Sequence, residues 1–275
     1  MTQDHTLKSE NLDVGYDGHR VIKGLNIEIP MGQITAIVGA NACGKSTLLR
    51  AMSRLLSPMS GQVVLDGKAV HQIPSKELAR TLGLLPQSPI APDGITVADL
   101  VGRGRHPYHQ LFSRWGGSDD AAVARALDVT QTANLSESSV DELSGGQRQR
   151  AWIAMALAQE TDILLLDEPT TFLDVSHQVE VLDLLTDLNR DLGTTIVMVL
   201  HDLNLATRYA DHLIAMKQGQ VHATGAPGAV LTVETIREVF ALNSEIIVDP
   251  VSQKPLMLPI GRYHQGNHHS IKVSA

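Results

Sequence analysis

The sequence predicts an α/β fold built around a parallel sheet. Three observations predict it. Short apolar runs at residues 33–38, 162–166 and 194–200 read as strands buried on both faces, as parallel sheets require. Residues 176–192 place Val181, Leu184, Leu185, Leu188 and Leu192 at helical spacing, and Gly193 ends that helix. Strand and helix signals alternate along the chain, the order that winds helices against a parallel sheet.

The elements follow in order. Residues 7–30 and 61–70 read as short strands joined by turns at Asp17-Gly18 and Asp66-Gly67, so an antiparallel β subdomain is expected beside the core. The strand at 33–38 stops at Gly39. A glycine-containing turn follows, and a helix is expected from Ser46 to about Leu56. A Pro- and Gly-rich lead-in, Ser88 to Gly94, opens a mainly helical stretch over about 88–160, read as a helical subdomain inserted between strands. From about Pro259 the chain is polar and irregular, which predicts a loose tail over 259–275. Residues 1–275 are read as a single domain, and no period of about 20–50 residues repeats, which excludes a solenoid.

Composition narrows the function. The chain has 275 residues, 43% of them hydrophobic, enough to bury a sizeable core. Aromatics are 3% and the net charge is −8, which disfavours stacking platforms and long phosphate-tracking surfaces for nucleic acid. The single cysteine, Cys43, forbids an intrachain disulfide or a cysteine-based zinc site and fits a reducing compartment. The opening residues have no apolar core of the kind a signal peptide needs, and no apolar run approaches the ~20 residues of a membrane span. Work at a membrane would therefore be as a peripheral subunit.

Gly39-Ala40-Asn41-Ala42-Cys43-Gly44-Lys45-Ser46-Thr47 matches the phosphate-loop pattern G-x-x-x-x-G-K-S/T, between a predicted strand and a predicted helix. Such a loop aims successive backbone N–H groups at phosphate oxygens, and the helix N-terminus adds positive charge. Lys45 is then placed for the β/γ-phosphates and Ser46 for Mg²⁺. The 162–166 strand leads into Asp167-Glu168, two carboxylates at the end of a parallel strand where ligands bind. Asp167 suits Mg²⁺, and Glu168 suits orientation or deprotonation of an attacking water.

Leu143-Ser144-Gly145-Gly146-Gln147, shortly before that strand, makes the set resemble the ATP-binding-cassette (ABC) ATPases. The resemblance spans about residues 7–262 and implies a P-loop NTPase core with a mixed sheet. It implies ATP and Mg²⁺ as ligands, sandwiched between two subunits in a head-to-tail homodimer. Ser144, Gly145, Gly146 and Gln147 would then meet ATP held by the other subunit. It further implies that Gln87 touches Mg²⁺ or water and senses a transmembrane partner. Asp174, after Leu173, would belong to the seam loop, His201 would contact the γ-phosphate, and Tyr16 would stack on adenine. Two positions depart from the family pattern: Ala42 stands where glycine is common and Ala40 where proline is common. A positive φ at Ala42 would be strained by about 1–3 kcal/mol.

Residues 102–108, then Leu111, Phe112, Ser113, Arg114 and Trp115, are similar to importer ATPases for iron–siderophores and cobalamin, as are residues 151–156 and 201–206. The nearest resemblance is to bacterial ferric-siderophore (ferric enterobactin type) import ATPases. It implies a multi-span permease, a substrate-binding protein reached indirectly, no nucleic-acid partner, and a place on the cytoplasmic face of the inner membrane. Cobalamin or haem import, or a soluble cassette of the iron–sulfur assembly type, are the alternatives. Three side expectations complete the reading. Arg105 should lie on a permease-docking surface. Cys43, beside Lys45 and a helix N-terminus, should have a lowered pKa. His264, His268 and His269 should belong to a solvated tail.

Overall fold

The computed structural model describes residues 5–109 and 115–263. The chain opens with a hairpin, β1 (Leu7–Tyr16) and β2 (His19–Ile29), turned at Asp17-Gly18. β3 (Ile34–Gly39) leads through the glycine-containing loop into α1 (Lys45–Met52). β4 (Ser60–Leu65) and β5 (Lys68–Ala69) join the first hairpin in an antiparallel sheet of order β2-β1-β4-β5. α2 (Ser75–Thr81) and β6 (Leu82–Leu85) follow. The chain then runs through α3 (Val97–Gly102), a 3₁₀ turn (Arg103–Tyr108), α4 (Gly117–Val129) and α5 (Gly145–Ala158).

It returns as β7 (Ile163–Asp167) and crosses through α6 (Val175–Leu192) to β8 (Thr195–Val199). α7 (Leu203–Tyr209), β9 (His212–Lys217) and β10 (Gln220–Gly225) complete the second sheet. Its order is β10-β9-β3-β8-β7-β6. Pairing is parallel from β6 to β9 and antiparallel only at β10, so the sheet is mixed. Beyond it lie α8 (Pro227–Val230), α9 (Val233–Phe240) and a hairpin of β11 (Ser244–Val248) and β12 (Pro255–Pro259).

Every residue of β3, β7 and β8 is buried, which explains why these strands read as unbroken apolar runs. The two-residue period sends alternate side chains to opposite faces. Leu164, Leu166, Ile196 and Met198 pack with α5 and α6 residues such as Ile153 and Leu185. Ile163, Leu165, Val197 and Val199 pack instead with Leu48 and Leu49 of α1 and with Leu7 and Leu12 of the antiparallel sheet. One sheet therefore separates two cores, and α1 is held against it from the side of the antiparallel strands. His5 clasps the layers: its Nδ1 lies 2.7 Å from Asp66 and its Nε2 3.1 Å from Asp162.

Several boundaries differ from the sequence reading. α1 stops at Met52 rather than near Leu56 because Arg54 turns to φ +61° and donates to the carbonyls of Val70 and Ile73. The closing hairpin was not anticipated. It is anchored by Arg208, whose guanidinium grips Asp249 at 2.7 Å, and by Asn204, which bonds both ways with the Met257 backbone. Arg105 is a correction. Far from lying on a docking surface, it is 4% exposed, and its donors reach Asp119 (3.0 Å), Glu160 (2.7 Å) and the carbonyl of Ala158 (2.8 Å). Leu111, Phe112, Ser113, Arg114 and the three tail histidines, His264, His268 and His269, lie outside the described residues.

Candidate nucleotide site

Four neighbouring parallel strands end at one place. The loop after β3 carries residues 39–47, β6 leads to Gln87, β7 to Asp167 and Glu168, and β8 to His201. Strand order alone brings these together, although they are spread over residues 39–201 of the sequence. A cavity of about 450 Å³ opens there, lined by residues 41–47, Gln87, Glu168 and His201, with Val21 from β2. This is the crevice outside the carboxyl ends of strands where ligands of such sheets bind.

The loop is held by tight contacts. Gly39 sits at φ +154°, and a Cβ there would meet the Met216 carbonyl oxygen at 2.4 Å and Cys43 Sγ at 2.7 Å. No other residue fits. Ala42 takes φ +60°, the left-handed conformation that costs an L-alanine about 1–2 kcal/mol. Lys45 is buried, and its ammonium donates to the carbonyls of Gly39 (2.9 Å) and Ala40 (3.1 Å) across the loop. Ser46 Oγ donates to Asp167 Oδ1 at 2.8 Å. Burial pushes the Asp167 carboxyl up, and the Ser46 hydrogen bond opposes that shift. This pair of hard oxygen donors is the kind Mg²⁺ selects.

Glu168 is the centre of the polar network. Its Oε1 lies 2.5 Å from His201 Nε2, and its Oε2 accepts from Gln87 Nε2 (2.5 Å) and Thr171 Oγ1 (3.1 Å). Its backbone stands at φ +56°, a strained conformation of the kind that gathers at functional sites. An ionised carboxylate so held can take a proton from a water or fix its orientation.

Ser144, Gly145, Gly146 and Gln147 stand elsewhere and contribute nothing to the cavity lining. Ser144 is the N-cap of α5. Its Oγ accepts from the Gln147 N–H, and Gln147 Oε1 accepts from the Ser144 N–H, a reciprocal capping box. This is why the helix begins at Gly145. Asp174 likewise caps α6: one carboxylate oxygen takes the His177 N–H (3.0 Å) and the Ser176 hydroxyl (2.8 Å), holding the group at about 2.

Comparison with known proteins decides the family. The family model described as ABC transporter matches residues 22–171. The ferric enterobactin transport ATP-binding protein of Escherichia coli is 54% identical over 256 residues, covering 93% of this chain and 94% of that protein. A probable siderophore transport system ATP-binding protein of Bacillus subtilis is 52% identical, covering 93% of each. The chain belongs to the ABC transporter family. Among solved structures, an inward-facing metal-chelate type ABC transporter superposes with a TM-score of 0.81 at 29% identity, covering 94% of this chain and 99% of that one. The ABC transporter fold is thus an ABC ATPase cassette with its mixed sheet, antiparallel sheet and helical segments, and such a domain binds ATP.

One residue of the ABC transporter site differs from expectation. Cys43 is 6% exposed and packs in the core with Leu48 and Leu49. Burial pushes its thiol up, against the opposing pull of Lys45, so the expected lowering is corrected. Alkylation by a maleimide, followed by mass spectrometry, is therefore expected to be slow in the native chain with or without Mg-ATP, and complete only after denaturation. Rapid native labelling that ATP suppresses would show the thiol to be exposed. Tyr16 is 41% exposed and lies outside the cavity lining, its hydroxyl 3.4 Å from Arg50 Nη1.

Val21 and Thr171 were missed by sequence reasoning. Val21 is one of many β-branched strand residues and carries no local signal. Thr171 had one, a hydroxyl three residues after Glu168.

Proposed function

We propose that this chain is the ATP-hydrolysing motor subunit of a membrane importer for iron–siderophore complexes, working as a homodimer on the cytoplasmic face of the membrane. The observation that carries it is that the phosphate-binding residues and the Ser144 helix start do not share one cavity within the chain. The phosphate loop with Ser46, and Glu168 with Gln87 and His201, line one cavity, while the Ser144–Gly145–Gly146 helix start is absent from that lining. A second copy turned head to tail would bring its helix start over this cavity. A dimeric ATP-binding cassette in a post-hydrolysis state bound to ADP and Pi has a matching fold, with a TM-score of 0.70 and 28% identity over 80% of this chain. The siderophore is supported by the names of both relatives above. These names favour it over cobalamin, haem or a soluble assembly cassette. No helix among the described residues is long and apolar enough to cross a membrane, so permease subunits would supply the pathway.

In this reading Lys45 and the loop N–H groups bind the phosphates. Ser46 and Asp167 hold Mg²⁺ with Gln87 nearby, and the ion, when bound, neutralises charge on the β- and γ-phosphates. Glu168 orients the attacking water, and His201 and Gln87 hold Glu168 in place. Closure of the dimer on ATP is passed to the permease through the segment after Gln87, and product release reopens it.

Deletion of the chain from its host is expected to abolish uptake of radiolabelled ferric siderophore, with the wild-type gene restoring it. Intact siderophore uptake in the deletion strain would reject the substrate assignment. The shared site has its own test. Lys45→Ala should weaken ATP binding at least about tenfold, through loss of a charge-assisted contact. Ser144→Arg should stop turnover yet leave binding by dilute monomer intact. Equal losses of monomer binding in both variants would show that Ser144 acts within its own subunit.

A further inference from the structure

We propose that His177 is a positioning residue. Its ring spaces the turn of residues 144–147 that opens α5, here called the signature turn, against the 172–174 segment, so both surfaces that meet the other subunit move as one piece. The proposal rests on the head-to-tail reading above.

The glycine at 146 raises the question. It lies in a regular helical turn and is absent from the positive-φ positions among the described residues. Helix physics alone would favour alanine there. The obstacle comes from α6: a Cβ on Gly146 would lie 2.4 Å from His177 Cδ2, 2.9 Å from Cγ and 3.0 Å from Nε2. The imidazole therefore rests on the bare backbone of the signature turn. Its other edge points the opposite way, with Nδ1 2.8 Å from Asp174 Oδ1. An ionised carboxylate only accepts, so Nδ1 carries the proton. One ring thus touches the signature with one edge and the cap of α6 with the other.

Neighbouring contacts extend the seam in both directions. One helical turn further along both helices, Arg150 Nη1 meets Glu180 Oε2 at 2.7 Å. Gln178 Nε2 donates to the Leu173 carbonyl at 3.0 Å, fixing the segment before the cap. Leu173 Cδ2 stands 3.9 Å from where a Cβ on Gly145 would be. Phe172, at φ +66° and 91% exposed, projects from the same segment. Residues 172–174 follow directly from Glu168 and Thr171. The signature presented to the partner's nucleotide is thereby tied to the strand that carries this subunit's own carboxylates.

The test is a set of variants in the full chain: Gly146→Ala, His177→Ala, both together, and Gly146→Ala with His177→Asn. Asparagine keeps a donor for Asp174 while leaving room for the methyl group. A displacement near 1 Å costs on the order of 10²-fold in rate. Gly146→Ala alone should therefore lose up to about that factor in kcat, with monomer ATP affinity within about twofold of wild type. In the His177→Ala background the added methyl should cost less turnover than the same change costs in wild type. The asparagine pair should be the most active of the three chains carrying Gly146→Ala. Melting temperature should fall for Gly146→Ala and rise when the same change is made without the ring.

A cost of Gly146→Ala that does not depend on residue 177, in a wild type that turns over, would overturn this inference alone. Coupling in the melts with wild-type turnover in every His177 variant would make the residue merely structural and overturn it too. A wild type without ATP turnover would reject the proposed function, and the positioning role with it.

Discussion

Glu168→Gln is expected to lower ATP turnover by on the order of 10²-fold or more while leaving ATP binding in place. The substitution keeps the shape of the side chain and leaves Lys45, Ser46 and Asp167 untouched. It removes the negative charge that draws together Gln87 (2.5 Å), Thr171 (3.1 Å) and His201 (2.5 Å). The amide can keep its oxygen toward Gln87 and Thr171 and turn its NH₂ toward His201 Nε2, so the packing can persist while the proton-accepting carboxylate oxygen is lost. With binding intact and hydrolysis slow, Mg-ATP should hold the chain as a stable dimer. Phosphate release and size-exclusion chromatography with Mg-ATP test both halves. Near-wild-type phosphate release would remove Glu168 from the water-orienting role, and a monomer at saturating Mg-ATP would count against the shared site.

Much of this site was legible because its residues sit where strands end. A strand buried on both faces must be continuously apolar, so a sudden carboxylate pair or glycine run marks its exit from the core. That logic located residues 39–47, Asp167 and Glu168 directly. His201 and Gln87 took their roles from the resemblance, since one histidine or glutamine after a strand has no distinctive spacing. What the sequence hid was the direction of side chains. Cys43 and Lys45 both face inward, the first into the apolar core and the second onto loop carbonyls. His177 reads as one polar residue on an amphipathic helix, and only packing shows it against Gly146. The closing hairpin was obscured because β11 and β12 leave Val248 and Leu258 exposed, so the usual inward and outward alternation is weak.

Arg105 shows the same limit most sharply, and it carries the largest expected effect on stability. A run of Arg, Gly and His reads as a solvated, partner-facing surface. The 3₁₀ turn instead drives the guanidinium between two helix ends. Its Nε donates to Asp119 in the first turn of α4, and its Nη1 donates to Glu160 and to the Ala158 carbonyl at the end of α5. Its Cζ lies 3.9 Å above the Tyr108 ring. Positive charge at a helix C-terminus is favourable, and here it is also desolvated. Burial alone would raise the Asp119 carboxyl, but Arg105 and the Gly116 N–H hold it below the usual range. That contribution is present at neutral pH and is lost only as pH falls through the lowered value. Arg105→Glu sets a third carboxylate against Asp119 and Glu160, and Arg105→Met leaves Asp119 buried without its partner. Breaking a buried pair from one side costs about 3–5 kcal/mol. Both variants should therefore unfold at clearly lower urea concentration than wild type, and Arg105→Lys should lose less because it keeps the charge without the planar fork. Molecules that remain folded should bind ATP normally, since the phosphate loop lies on a different core. An unchanged urea midpoint for Arg105→Glu, together with loss of permease association, would return this arginine to the surface role its sequence suggests.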